Sequence, residues 1–234
     1  MEGERPSNER LFDDPYATLF DDARLDVQQI FEMVPFFVEH VRIRTRFIDD
    51  TVREAVARGV RDVVLIGAGF DTRALRMPEL GAPVRVIEMD HAEQIAEKKR
   101  RFAAAGITVP QGLVFAPADL SEEGALVHAL SSAGLGASPD SSAVLWICEG
   151  LFGYLTQAAV AAIATDTARF SAPGSVVVAN HFTQWWSTGA LEEVFAPVGW
   201  RVTSGPTFDA LHRRWIGPSV PPGSEPFALM LATR

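Results

Sequence analysis

Residues 61–90 constrain this chain more than any other stretch. An apolar run, Val63-Val64-Leu65-Ile66, leads into the turn Gly67-Ala68-Gly69-Phe70-Asp71-Thr72. A short helical run to Leu80 follows, and a second apolar run, Val84-Arg85-Val86-Ile87, ends in Glu88 and Asp90. A strand that enters a glycine turn and then a helix exposes unpaired backbone N–H groups and a helix N-terminus to a ligand. Acids at the end of the next strand stand where a ribose presents its hydroxyls. The unit has the layout of a nucleoside-cofactor site.

The rest of the chain repeats the alternation. Phe47, Ile48, Val52, Ala55 and Val56 recur at helical spacing ahead of the first strand, and Gly59 is placed to end that helix. Around Phe31 to Phe37 the apolar pattern is interrupted by Pro35, which predicts a helix end or kink. His91 to Ala105 reads as a charged surface helix with Glu97 and Arg101 spaced as a supporting pair. Leu113 to Ala116 is a strand ending near Asp119-Leu120, and Ala143 to Ile147 is apolar throughout, as a strand buried on both faces should be. Thr156 is a candidate N-cap for a helix to Phe170, and Ser175 to Ala179 is a further strand. Trp200-Arg201-Val202 and Phe227 to Thr233 close the chain, the last reached by so short a return that it should run antiparallel. The expected fold is α/β and Rossmann-like: a mostly parallel seven-stranded sheet with helices on both faces. Residues 1–59 are expected as an N-terminal helical cover and residues 60–234 as the cofactor-binding domain.

A formal net charge of -9 argues against nonspecific nucleic-acid binding, which needs a basic surface. No apolar stretch reaches the ~18 residues of a membrane span, and Met1 to Pro6 lacks the apolar core of a signal peptide. The single cysteine, Cys148, cannot form an internal disulfide, which predicts a reducing, cytoplasmic setting. His40, His91, His128 and His212 show no metal-ligand spacing with one another or with Cys148, so no metal is expected.

A dinucleotide turn wants three glycines, and Thr72 stands where the third would be. That disfavours a nicotinamide or flavin dinucleotide. Adenosylmethionine carries no phosphate and tolerates a looser turn. Val64-Leu65-Ile66-Gly67-Ala68-Gly69-Phe70-Asp71-Thr72-Arg73, Glu88-Met89-Asp90, Asp119-Leu120 and Glu149-Gly150-Leu151 follow one another in order. Together they resemble the leucine carboxyl methyltransferase-like group of S-adenosylmethionine-dependent methyltransferases, which includes bacterial polyketide and natural-product O-methyltransferases. The resemblance runs from about Arg42 to Tyr154 and implies a class I methyltransferase fold.

It also implies roles. An arginine ahead of the first strand would grip the methionine carboxylate, pointing to Arg46 and less firmly to Arg42 or Arg44. Gly67 and Gly69 would admit the methionine part, and Asp90, with Glu88 as alternative, would hold the ribose. Asp119 would accept from the adenine amino group, Leu120 would pack on its ring or offer its N–H, and Glu149 would sit near the ammonium or sulfonium. Bland readings stand beside these: Asp71 and Asp119 fit helix N-caps, Glu88 can pair with Arg85 or Arg61, and Arg73 and Arg76 can be helix-face charges or partners of Asp71.

Methyl transfer from a sulfonium asks mainly for alignment and exclusion of water. A carboxylate acceptor needs no base; a hydroxyl benefits from one. His181, just past the fifth strand, is the first candidate base and Tyr154 the second, against a purely structural role. Trp185, Trp186 and Trp200 fit either an acceptor pocket or core packing. The expected function is O-methylation of a hydroxyl or carboxylate on a small, polyketide-like molecule. A nicotinamide-dependent oxidoreductase and a non-catalytic relative are the alternatives.

Overall fold

The computed structural model describes residues 5–20, 36–137, 142–184 and 186–234. The kink expected at Pro35 and the role of Trp185 lie outside these residues. The strands are β1 (Asp62–Ile66), β2 (Arg85–Asp90), β3 (Leu113–Pro117), β4 (Val144–Cys148), β5 (Val176–Phe182), β6 (Arg201–Ser204) and β7 (Phe227–Thr233). They form one seven-stranded sheet in the order β3-β2-β1-β4-β5-β7-β6. β7 runs antiparallel to β5 and β6, and the remaining neighbours are parallel. The mostly parallel sheet with an antiparallel last strand is the one the sequence predicts. β2 and β5 each extend about three residues beyond the apolar runs, carrying Glu88, Asp90 and His181 inside strands.

Helices cover both faces. α1 (Phe37–Ala57) packs Ile48, Val52 and Ala55 against Val63, Leu65, Leu145 and Ile147. Ile48 and Val52 are fully buried, and each such side chain contributes roughly 1.5–3 kcal/mol. Gly59, at φ 100°, turns the chain from α1 into β1 as expected. The other face carries α4 (Ala125–Ser132), α5 (Gln157–Arg169) and α6 (Thr188–Phe195) over Val64, Ile66, Trp146 and Ala179. Thr156 caps α5 by accepting from the Ala159 N–H. α2 (Arg73–Arg76) follows the glycine turn, α3 (Ala92–Ala104) follows β2, and α7 (Phe208–Trp215) lies beside α1.

Near the start of α1, His40 is fully buried in an aromatic box, its ring stacked on Phe227 at 3.9 Å with Phe208 at 5.0 Å. Neither ring nitrogen has a partner, and burial lowers its pKa to about 2. No helix among the described residues is long and apolar enough to cross a membrane. Cys148 is buried, and burial pushes its thiol pKa up to about 12, which makes it inert.

Candidate cofactor and active site

The glycine turn is bolted to the end of β2. The Ala68 N–H donates to the Met89 carbonyl at 2.8 Å, and the Gly69 N–H donates to Asp90 Oδ2 at 2.7 Å. Asp90 Oδ1 accepts from the His91 N–H at 2.8 Å. Gly67 has φ +70°, and a Cβ there would meet Leu151 Cδ1 at 2.8 Å. The left-handed backbone favours glycine here, and a side chain would in addition have to push the tip of Leu151 aside.

Below the turn lies a buried ion network that draws on three elements. Arg44 Nε donates to Glu149 Oε1 at 2.8 Å, and Thr45 Oγ1 donates to the same oxygen at 3.3 Å. Arg73 pairs with Glu149 Oε2 at 2.6 Å, with Asp49 at 2.7 Å, and with Asp71. Arg76 grips both oxygens of Asp49, at 2.7 and 2.8 Å. Asp49 is wholly buried and Arg73 nearly so, so each charge depends on its partners. Burial would raise the Glu149 pKa, but the Arg73 and Arg44 guanidiniums overcome it and hold it at about 2. Burial also opposes the charge on Arg73, and Asp71, Glu149 and Asp49 together push its pKa well above the ordinary value. The Gly150 N–H donates to Asn180 Oδ1 at 2.7 Å, which fixes the backbone beside Glu149.

Turn and network line a cavity of about 470 Å³ with Val41, Leu65, Ile147 and Phe70. Its outer wall comes from the N-terminal segment, through Phe12, Asp14 and Ala17. The segment is tied down at several points. Arg42 donates to the Glu9 carbonyl and Arg46 to the Leu11 carbonyl, at 2.9 and 2.8 Å. The Thr72 hydroxyl donates to Asp14 Oδ2 at 2.7 Å, and Arg101 reaches the Leu19 carbonyl at 2.9 Å. Phe20 stacks on Phe70 with ring centroids 4.3 Å apart.

The structure brings Gly67, Gly69 and Glu149 together on this cavity, with Asp90 directly behind the turn. Asp119 lies past β3, where Oδ1 accepts from the Ser121 hydroxyl and N–H. These bonds lower its pKa and make a local turn; the next helix starts at Ala125 with Gly124 as its N-cap, so Asp119 does not cap it, and Leu120 packs on the core edge. Several expected residues are elsewhere. Arg46 does not face the cavity; its Nε pairs with Asp50 at 2.9 Å, one turn along the same helix. Arg42 and Arg44, the other two arginines considered on α1, both line the cavity, and Arg44 is the one that reaches Glu149. Glu88, two positions before Asp90 on β2, does not line the cavity; it is buried against α3, where it meets Lys98 at 2.5 Å. Burial raises the Glu88 pKa to about 7 against the pull of Lys98. Arg85, offered as a partner for Glu88, pairs with Asp62 instead.

Neither candidate base reaches the cavity. His181 shares the parity of Val177 and Ala179 on β5, so it points to the α5–α6 face while the cavity lies on the α1 face. Its Nδ1 contacts the Trp186 carbonyl at 2.7 Å, and burial lowers its pKa against that bond. Tyr154 is 89% exposed. Trp186 and Trp200 are core residues, with their indole N–H groups on the carbonyls of Phe152 and Ala164. Sequence reasoning missed Asp49, Thr45, Asn180 and Asp14. The one local signal was the crowding of Arg44, Arg46, Asp49 and Asp50 just ahead of the first strand.

Residues 1–168 match the profile of the leucine carboxyl methyltransferase family. The chain is 35% identical over 184 residues to a protein of Parafrankia sp. (strain EAN1pec) with the provisional name S-adenosyl-L-methionine-dependent methyltransferase. That match covers 74% of this chain and 56% of the relative. A similarly named protein of Frankia alni is 33% identical over 189 residues, covering 78% of this chain and 65% of its own length. The chain therefore spans between about half and two thirds of the length of these curated relatives. Among solved structures, a methyltransferase from Thermobifida fusca YX, named by inference, superposes with a TM-score of 0.59 at 13% identity, covering 98% of this chain and 95% of that one. Magnesium protoporphyrin IX methyltransferase from Synechocystis PCC 6803, solved with bound SAM, gives 0.56 at 14% identity over 94% and 89%. At such identity these two establish the class I methyltransferase fold. The motif order, the sheet and the profile match over most of the chain agree: it belongs to the leucine carboxyl methyltransferase family.

Proposed function

We propose that this chain is an S-adenosylmethionine-dependent O-methyltransferase that acts on a hydroxyl or carboxylate of a small molecule, of polyketide-like type. The observation that carries the reading is the cavity where the Gly67–Thr72 turn, Arg44 and Glu149 meet, with Asp90 behind the turn. The residues suit the donor. Gly67 and Gly69 let backbone approach the methionine part, and Asp90 and Asp119 stand at the ends of successive strands for ribose and adenine, with Leu120 beside the ring. Arg44 takes the carboxylate role that the family resemblance implied for Arg46, and Glu149, already ionised, favours the cationic end. Residues 1–59 serve as cover and residues 60–234 as the binding domain.

Bound adenosylmethionine supplies an electrophilic methyl group whose C–S electron pair returns to sulfur as the acceptor oxygen attacks. The protein's task is to align the two and keep water out. The wall formed by Phe12, Asp14 and Ala17 provides exclusion, and the Arg73–Asp49 network holds Glu149 and Arg44 in register. A carboxylate acceptor arrives as a nucleophile and fits this site without His181 or Tyr154. Calorimetric titration with adenosylmethionine and NADH tests the donor. Binding of adenosylmethionine, with methyl transfer to members of a phenol and carboxylic-acid panel, is the expected result. Binding of NADH alone would replace the reading by the oxidoreductase one, and donor binding with no product across the panel would favour a non-catalytic relative.

A further inference from the structure

We propose that Asp14, in the N-terminal segment, is part of the donor site and accepts the ammonium group of the methionine moiety. The inference rests on the donor reading above and adds a residue remote in sequence from every motif. The amino-acid end of the donor presents a carboxylate and an ammonium side by side. Guanidiniums serve the first; the second requires a carboxylate with charge to spare. Among the described residues, three carboxylates line the cavity: Asp14, Asp71 and Glu149. Asp71 and Glu149 are each in direct ion pairs with arginine.

Asp14 differs from both. Its close donors are neutral: the Tyr16 N–H at 3.0 Å and the Thr72 hydroxyl at 2.7 Å. The nearest guanidinium nitrogen, Arg76 Nε, is 3.8 Å away, beyond hydrogen-bonding distance. That nitrogen is buried with no acceptor, on a side chain 4% exposed, and its guanidinium is otherwise committed to Asp49. An orphaned buried donor and a carboxylate held by neutral donors thus face each other across one edge of the cavity. A zwitterionic ligand completes both, its carboxylate toward the arginines and its ammonium on Asp14. The neutral bonds to Tyr16 and Thr72 fix the direction in which Asp14 points without cancelling its charge.

The test is calorimetry with adenosylhomocysteine and with its deaminated analogue, in which hydrogen replaces the amine. Wild type should bind adenosylhomocysteine more tightly. Asp14→Asn should weaken adenosylhomocysteine about ten- to hundredfold, as loss of a charged hydrogen bond does, and leave the analogue nearly unchanged. Thr72→Val, which removes a neutral tether but keeps the carboxylate, should retain the preference for the amine. Hydrogen exchange over residues 9–20 should be slowed by adenosylhomocysteine in wild type and Asp14→Asn alike. Equal weakening of both ligands, or of neither, by Asp14→Asn overturns the proposal and leaves the donor reading intact. Failure of wild type to bind either ligand overturns both.

Discussion

At the scale of single residues, the arginines of α1 and α2 separate by what they touch. Arg73 is nearly unexposed and ties Asp49 and Glu149 together. Arg73→Met should cost about 3–5 kcal/mol in chemical denaturation, because Asp71 loses its guanidinium and buried Asp49 and Glu149 each keep only one. Arg46→Ala removes a partly exposed i,i+4 pair, worth about 0–1 kcal/mol, and the tie to the Leu11 carbonyl, and should weaken donor binding less than loss of Arg44 does. Arg44→Ala should weaken donor binding by about 1.5–3 kcal/mol in calorimetry. An equal effect of Arg46→Ala would return the carboxylate role to that residue.

His40 gives a pH prediction. Its folded pKa, near 2, lies below the unfolded value near 6.5, so the unfolded chain takes up a proton first on acidification. The stability it contributes is complete above about pH 6.5 and falls by about 1.4 kcal/mol per pH unit below that. His40→Phe should remove that slope relative to wild type in denaturation curves between about pH 6.5 and 4.5. Glu88 acts with the opposite sign. Its raised folded pKa, about 7, gives stability that is present below about pH 4.5 and lost as pH rises through 7. In wild type the two partly cancel across this window, and the single variant exposes the other contribution.

At the scale of elements, the glycine turn separates backbone strain from contact. Gly67 and Gly69 both have positive φ, but only at Gly67 would a Cβ strike a neighbour, the Leu151 side chain. Gly69→Ala should cost about 1–2 kcal/mol for the left-handed backbone alone. Gly67→Ala should cost more and displace Leu151, with a larger loss of donor affinity; equal costs would show that Leu151 moves freely. The turn and the acids after it were legible in sequence because strand–turn–helix units constrain a few adjacent positions. The inward arginine was not. Arg44 and Arg46 are two positions apart on a helix and so point in different directions, and only packing of α1 chooses between them. His181 misled for a similar reason: β5 runs to Phe182, and strand parity sends that histidine to the opposite face.

At the scale of the whole molecule, the sheet could be read from alternating apolar runs and turn residues. The assembly of the cavity could not. Its wall comes from residues 12–17, its floor from α1, and its carboxylate from the end of β4. Contacts such as Thr72 with Asp14, 58 positions apart, leave no local trace. Among the described residues the cavity is lined by the guanidiniums of Arg42, Arg44, Arg73 and Arg76 and by the carboxylates of Asp14, Asp71 and Glu149, of which Glu149 stays ionised. On the proposed function the fixed charge of Glu149 has a consequence for turnover. Methyl transfer converts a sulfonium into a neutral thioether, so the product enters the same surroundings with one positive charge fewer than the donor. A carboxylate that keeps its charge at the cationic end holds the spent cofactor less tightly than the fresh one, and product exchange is driven by the electrostatics that favoured loading.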